Sequence, residues 1–233
     1  METTLSPAAR RWFAVNAVLA WLGLAVSLTL TLANLYPSTV TVPSRYGADP
    51  TAGLGSRLAD WLSYFTIWSN VVVAVVASVL AWGRARATTV LTAARLDSVL
   101  LITITGLVYA VVLAPISAQR GWENLSNSLL HQITPILTVG LWLVVGPRGW
   151  VTGRTVLAAL VIPLAWVSWM LLHGAAVGAY PYPFVDVVVL GYPRALGNIA
   201  GILVLGLALA AGFWGLERAL SRRVERSRRG RSI

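Results

Sequence analysis

Thr66 and His131 are of the residue types that nucleophilic catalysis needs. A threonine hydroxyl is a poor nucleophile until a base accepts its proton, and neutral histidine is the usual base near neutral pH. Each residue also has an ordinary structural explanation, because a helical threonine commonly bonds a carbonyl of its own helix. The pair is therefore meaningful only if the fold brings positions 66 and 131 together.

Other polar residues could complete such a site: Ser69, Asn70, His173, Asp186 and Asn198. Ser69, Asn70 or Asn198 could donate a hydrogen bond to a developing oxyanion, and Asp186 could orient His131. A different possibility is that His131 and His173 are axial ligands of a haem, although nothing else in the sequence favours it. Cysteine is absent, which excludes a thiolate nucleophile, a disulfide and a cysteine-based metal site. We expect no cofactor and no metal.

The composition indicates a membrane protein. The 233 residues are 57% hydrophobic and 11% charged, whereas soluble domains are about 45–50% apolar and about 25% charged. A bilayer core requires about 20 apolar residues per helix. Six stretches meet this requirement and predict an all-α bundle of six transmembrane helices, with no separate soluble domain: 12–33, 61–82, 98–116, 129–146, 155–177 and 194–216.

The arginines predict the orientation of the bundle. All 18 basic residues are Arg, and with the N-terminus inside, 14 of them lie in inner regions and 4 in outer regions. The positive-inside rule therefore places both termini in the cytoplasm. The net charge of +10 is explained by topology, so we expect no nucleic-acid partner. Residues 1–217 form the membrane domain in this prediction, and 218–233 form a basic cytoplasmic tail near anionic lipid.

The first span has one alternative interpretation, a signal peptide that is removed. The stretch 12–33 is longer than the usual apolar region of about 7–15 residues, which favours a retained anchor.

The abundance of Ala, Val, Leu and Arg without Lys is typical of a GC-rich bacterial genome. We therefore expect a multi-pass protein of the bacterial inner, or plasma, membrane.

This topology places the strongest polar candidates in the outer third of the membrane and leaves the inner halves of the helices almost purely apolar. Polar groups in a bilayer are costly and mark functional sites by default. Pro135 should kink or widen the fourth helix, because a proline has no N–H for the carbonyl of His131. These features predict a cavity that opens towards the outer leaflet.

Three motifs, in this order, resemble those of a known family. They are YFTIWSN at 64–70, HQITPIL at 131–137 and YPYPFVD at 180–186. They look like the signatures of a bacterial six-helix membrane family related to the animal androgen-induced protein and the androgen-dependent TFPI-regulating protein. The order and spacing agree over nearly the whole chain.

The resemblance implies an activity and two roles. The animal relatives are transmembrane threonine hydrolases that cleave fatty acid esters of hydroxy fatty acids, so Thr66 would be the nucleophile and His131 the base. The expected partner is a lipid substrate that enters from the outer leaflet of the bilayer. The alternative is a protein that binds or transports a lipid or small hydrophobic molecule without turnover.

Overall fold

The computed structural model describes residues 2–3, 5–35, 52–83, 85–116 and 120–229, and most of them are helical. The helices are α1 Pro7–Leu32, α2 Leu54–Ser63, α3 Phe65–Trp82, α4 Thr89–Val108, α5 Gly121–Ser128, α6 Thr134–Val144, α7 Gly153–Ala158, α8 Val161–Val177 and α9 Val187–Arg229. Two π turns, Tyr109–Leu113 and Leu129–Ile133, extend α4 and join α5 to α6. The predicted spans 12–33 and 61–82 imply a connection 34–60; most of it lies outside the described residues, and α2 begins within it at Leu54.

Within the described residues, five helical stretches are long and apolar enough to cross a membrane: Pro7–Leu32, Phe65–Trp82, Thr89–Ile116, Gly153–Val177 and Val187–Arg222. They correspond to five of the six expected spans. The remaining one, 129–146, is built from the second π turn and α6. The chain is therefore a helical protein whose apolar helices suit a membrane.

Two helices extend well beyond the expected spans. Helix α4 begins at Thr89 instead of 98 and so includes residues that were expected in a loop. Helix α9 begins at Val187 and continues to Arg229, through the boundary expected at 218, so most of the basic tail is helical. Its only non-helical residue is Gly191, whose φ of 71° is readily adopted by glycine.

Small residues bring α1 and α3 close together. Ala17 and Ala20 of α1 are buried in apolar clusters with Ala74 and Ala77 of α3. Small side chains allow helix backbones to approach closely, which is how helices gain packing contacts when lipid removes the hydrophobic drive between them. The close α1–α3 pair holds α3, which carries Thr66, in a fixed position.

The N-terminal strand marks one end of the bundle. Glu2–Thr3 pairs antiparallel with Ala85–Arg86 in the α3–α4 connection. Beside it, Arg10 Nε donates to the carbonyl of Ala81 at 2.9 Å, at the C-terminus of α3. A cation there complements the negative end of the helix dipole.

Charged side chains that were expected outside the spans 98–116 and 194–216 are buried at this same end. Arg95 of α4 and Glu217 of α9 are 3% and 2% exposed, with Nη1 and Oε2 3.7 Å apart. Glu217 Oε1 also accepts from the backbone amides of Trp150 at 2.7 Å and Val151 at 3.2 Å. The pair therefore ties α4 and α9 to the α6–α7 connection.

We expect Glu217→Leu to lower the free energy of unfolding by about 3–5 kcal/mol, because it leaves the Arg95 guanidinium buried without its counter-ion. The double variant Arg95→Met/Glu217→Leu should recover much of that loss, since no buried charge is then unpaired. Denaturant unfolding of the purified protein in detergent measures both. Equal stability of Glu217→Leu and wild type would contradict the description of this pair.

Candidate active site

The expected helix 61–82 is two helices, and the break places Thr66 in the first turn of the second. Tyr64 has extended backbone angles, φ −77° and ψ 124°, and separates α2 from α3. Thr66 is the second residue of α3, so its N–H has no carbonyl partner within the helix. Ser63 is the last residue of α2 and so lies on the other side of the break.

Indole groups complete the end of α2. Trp68 Nε1 donates to the carbonyl of Leu62 at 2.7 Å, and Trp166 Nε1 donates to the carbonyl of Ser63 at 3.0 Å. Trp169 Nε1 donates to Ser63 Oγ at 3.1 Å. The first two bonds satisfy carbonyls that a helix end leaves without partners, and the two from Trp166 and Trp169 hold α8 against the break.

The widening expected near Pro135 is present as the π turn Leu129–Ile133. The N–H of Thr134 bonds the carbonyl of Leu129, five residues earlier, instead of the carbonyl four residues earlier. Such π turns occur mostly as single turns inside α-helices and are frequent at functional sites. His131 lies at the centre of this turn.

Asn70 satisfies a carbonyl that the π turn leaves free. In an α-helix the carbonyl of Leu130 would accept from the N–H of Thr134, and in a π-helix it would accept from the N–H of residue 135. Here the Thr134 N–H bonds the carbonyl of Leu129 instead, and residue 135 is a proline, which has no N–H. Asn70 Nδ2 donates to this Leu130 carbonyl at 3.2 Å and to the carbonyl of Thr66 at 2.9 Å. One amide thus joins the turn that carries His131 to the turn that carries Thr66.

Thr66 and His131 are in hydrogen-bond contact. Thr66 Oγ1 lies 3.0 Å from His131 Nε2, and His131 Nδ1 lies 3.3 Å from the carbonyl oxygen of Asn127. A carbonyl can only accept, so Nδ1 carries the proton of the neutral ring and Nε2 has the lone pair. The Thr66 hydroxyl therefore donates to Nε2. The group that orients His131 is this carbonyl, whereas Asp186 was expected.

The His131 ring is also held by an aromatic neighbour. Tyr109 stacks on it, with ring centroids 4.6 Å apart and 27° between the planes. Asn127 Nδ2 donates to the Tyr109 hydroxyl at 2.6 Å, so one residue supports both rings. Tyr109 begins the first π turn, which places the two π turns of the chain side by side at this site.

Tyr182 is a third polar group at Thr66. Its hydroxyl oxygen accepts from the Thr66 N–H at 3.4 Å and lies 3.5 Å from Thr66 Oγ1. The side chain is 7% exposed, and burial raises the pKa of the phenol. The hydroxyl therefore stays protonated and able to donate. Its ring stacks on Phe184 at 5.2 Å and meets the edge of Tyr64 at 5.8 Å.

Ser69 and Asn70 lie beneath Thr66 but direct their donors elsewhere. Ser69 Oγ donates to the carbonyl of Thr66 at 3.0 Å and lies 2.8 Å from Thr105 Oγ1. The two donor contacts of Asn70 are to backbone carbonyls, as described above. Ser69 and Asn70 were expected to donate a hydrogen bond to an oxyanion. Their hydrogen bonds are instead directed at backbone carbonyls and stabilise the first turn of α3.

His173 is engaged at a separate place. Its Nε2 lies 2.8 Å from Asp60 Oδ1, and its ring stacks on Trp169 with centroids 5.5 Å apart. The contact joins the end of α8 to α2. Because His173 and His131 are bonded to different partners, the arrangement does not favour a shared haem between them. Among the described residues, no group of three His, Cys, Asp or Glu residues could hold a metal ion.

Asp186 and Asn198 shape the connection that carries Tyr182. Asp186 Oδ1 accepts from the amides of Val188 at 2.9 Å and Val189 at 3.3 Å and so caps the start of α9. Asn198 Nδ2 donates to the carbonyl of Phe184 at 2.8 Å. Asp186 was expected to orient His131 and Asn198 to serve an oxyanion, but their bonds are to this connection.

A small apolar groove, with a cavity volume of about 30 Å³, lies between α8 and α9. It is lined by Phe65, Pro163, Trp166, Val167, Ile199, Ile202 and Leu203. Phe65 directly precedes Thr66, and several of the lining side chains belong to the same apolar cluster as Tyr182. The groove therefore includes the residue that precedes Thr66 in the chain, and its lining side chains are all apolar.

The sequence interpretation did not single out Tyr182, Tyr109 or the carbonyl of Asn127. The signal for Tyr182 was present in the 180–186 motif, where a tyrosine with two flanking prolines precedes the capping Asp186. No sequence pattern marks a backbone carbonyl, although Asn127 lies four residues before His131, where a helix carbonyl faces the side chain.

Comparisons with known proteins gave no match to a family model, to a curated protein or to a solved structure. The geometry of the site is therefore the basis for its proposed chemistry.

We expect Asn70→Leu to lower the free energy of unfolding by about 1–3 kcal/mol, because the carbonyl of Leu130 stays buried without a partner. Asn198→Leu is the matched control. Its side chain is exposed and makes one bond, so its loss should be under about 1 kcal/mol. Unfolding in detergent, followed by tryptophan fluorescence, compares the two, and equal losses would refute the role given to Asn70.

Proposed function

We propose that this chain is an intramembrane lipid ester hydrolase that cleaves fatty acid esters of hydroxy fatty acids or similar esters. Thr66 is the nucleophile and His131 is the base. The observation that carries the proposal is the 3.0 Å contact between Thr66 Oγ1 and His131 Nε2, together with the carbonyl that keeps the proton on Nδ1. A hydroxyl that donates to the lone pair of a fixed imidazole is the arrangement of an activated nucleophile.

We also propose that the chain spans the bacterial inner membrane six times, with 129–146 as the fourth span and both termini in the cytoplasm. In this proposal it belongs with the bacterial relatives of the androgen-induced protein. The distribution of arginines supports this orientation. Pairing of Glu2–Thr3 with Ala85–Arg86 supports placing the N-terminus on the side of the α3–α4 connection. The Thr66–His131 pair then faces the outer leaflet.

The first half of the reaction forms an acyl-threonine. His131 Nε2 accepts the Thr66 proton while Oγ1 attacks the ester carbonyl carbon, whose π electrons move to oxygen. The oxyanion then collapses, the bond to the alkoxy oxygen breaks, and His131 returns the proton to the leaving alcohol. The carbonyl of Asn127 accepts from Nδ1 throughout and favours the imidazolium that forms transiently.

The second half of the reaction releases the acid. His131 accepts a proton from water, whose oxygen attacks the acyl carbon and forms a second oxyanion. Its collapse breaks the bond to Oγ1, and Thr66 recovers its proton from His131.

In this proposal the acyl chain enters between α8 and α9, which separate along the small apolar groove to admit it. A substrate that diffuses within the outer leaflet reaches the groove laterally and brings its ester group past Phe65 to Thr66. Burial of each methylene contributes about 0.8 kcal/mol, so the length of the groove sets a preference for chain length.

We expect a fluorophosphonate probe to label the wild-type protein at Thr66, because the activated oxygen displaces fluoride from phosphorus. Thr66→Ala should not be labelled, and His131→Gln should be labelled at least about 10²-fold more slowly, since the general base is absent. Intact-protein mass spectrometry and in-gel fluorescence measure the label.

Thr103→Ala is the control for the labelling experiment, because Thr103 bonds a carbonyl of its own helix away from the site. It should be labelled like wild type. An unlabelled wild type, or equal labelling of Thr66→Ala, would refute the threonine mechanism and favour a protein that binds lipid without turnover.

We expect Ile199→Trp to shift the substrate preference towards short acyl chains, because the larger ring fills the groove. The value of kcat/KM for long-chain esters should fall by roughly 10-fold or more, since two buried methylenes are worth about 1.6 kcal/mol. The ratio of rates for short and long p-nitrophenyl esters is the measurement. Leu205→Trp on the exposed face of α9 is the control, and an equal shift there would contradict the groove assignment.

A further inference from the structure

The hydrogen bonds around Thr66 leave one side-chain donor directed at its reacting oxygen. Ser69 donates to a backbone carbonyl, Asn70 donates to two, and Asn198 donates to the carbonyl of Phe184. Within the described part of the chain, the side chains bonded to Thr66 Oγ1 are His131 and Tyr182.

The direction of each bond follows from the fixed tautomer. The Thr66 proton is directed at His131 Nε2, and the Thr66 N–H donates to the Tyr182 oxygen. The phenol proton of Tyr182 is therefore free to point at a lone pair of Thr66 Oγ1, 3.5 Å away. The distance is long for a hydroxyl bond, so the phenol O–H is held only weakly by Oγ1 and can rotate towards an oxygen that lies beside both groups.

We propose that Tyr182 is the third catalytic residue of this site and that its hydroxyl, with the N–H of Thr66, binds the oxyanion. This inference rests on the proposed hydrolase function.

The reaction gives the oxyanion a place beside these two donors. When Oγ1 bonds the ester carbon, the carbonyl oxygen becomes negative and lies one bond from that carbon, next to Oγ1. The Tyr182 O–H then turns from Oγ1 to the oxyanion, and the Thr66 N–H at the positive end of α3 supports it. The phenol proton stays on Tyr182 in every step, so the proton transfers of His131 remain balanced.

The surroundings hold Tyr182 in this position and keep it protonated. Phe184 stacks on its ring and Tyr64 meets it edge-on, while Asn198 fixes the backbone at Phe184. Burial raises the pKa of the phenol, so the donor is present across the neutral range. Because the ring and oxygen of Tyr182 are fixed before the reaction, the change at this residue in the transition state is limited to rotation of its O–H.

The test compares Tyr182→Phe with Tyr180→Phe in the purified full-length protein. Tyr180 is a second buried phenol of the same apolar cluster, two residues away. For p-nitrophenyl ester hydrolysis, Tyr182→Phe should lower kcat by about 10²–10³-fold with KM unchanged, as expected for loss of one oxyanion donor. Tyr180→Phe should change kcat by less than about 3-fold, and Tm should be similar in both variants.

A trifluoromethyl ketone provides a second measurement, because its adduct with Thr66 carries an oxyanion. Its affinity should fall in Tyr182→Phe by the same factor as kcat, whereas the affinity for a fatty acid product should not change. A purely structural role would weaken both ligands. If Tyr182→Phe cannot be purified, 3-fluorotyrosine at position 182 preserves packing and makes the phenol a stronger donor, so kcat should change measurably.

The outcomes separate the two proposals. If wild type turns over, Thr66→Ala does not, and Tyr182→Phe matches wild type, the role of Tyr182 is overturned and the hydrolase stands. If wild type neither turns over nor reacts with a fluorophosphonate, both are overturned. An unchanged kcat with 3-fluorotyrosine also overturns the role of Tyr182.

Discussion

The hydrogen bond between His131 Nδ1 and the carbonyl of Asn127 decides how the polar groups around Thr66 can act. It is a contact to backbone, so it cannot change its direction as a hydroxyl or an amide could. With Nδ1 protonated, Nε2 must accept, the Thr66 hydroxyl must donate, and the Tyr182 hydroxyl is left to face the Thr66 oxygen. An acidic residue at Nδ1 would impose the same order, but it would add a charge that is costly to bury in a membrane.

Irregular backbone prepares both halves of the pair. The break at Tyr64 frees the N–H of Thr66, and the π turn before Pro135 frees the carbonyl of Leu130. Each freed group then finds a side chain from another part of the fold, Tyr182 for the first and Asn70 for the second. Non-helical backbone is tolerated at membrane depth where protein groups satisfy it, so these two defects and their partners depend on one another.

The sequence predicted those features that depend on residues close together in the chain. Apolar stretches predicted the long helices, and Pro135 predicted a widened turn beside His131. It did not find the break at Tyr64, because YFTIWSN has no proline or glycine and reads as continuous helix. It placed Arg95 in a loop, since the counter-ion Glu217 lies 122 positions further along the chain. Tyr182 was not singled out for a similar reason: its partner at position 66 is distant in sequence, and hydrogen bonds between distant residues leave no periodic pattern.

The π turn also bears on how related chains should be compared. It holds one residue more than an α turn, and one residue corresponds to about 100° of rotation around the helix axis. A relative with a single deletion between Asn127 and Pro135 would keep its apolar stretches and the same arginine distribution, but its histidine would face a different side of the bundle. A gap of one position at this turn in an alignment would therefore distinguish two kinds of relative. In one kind the histidine faces the helix that corresponds to α3, and the other kind shares only the arrangement of helices.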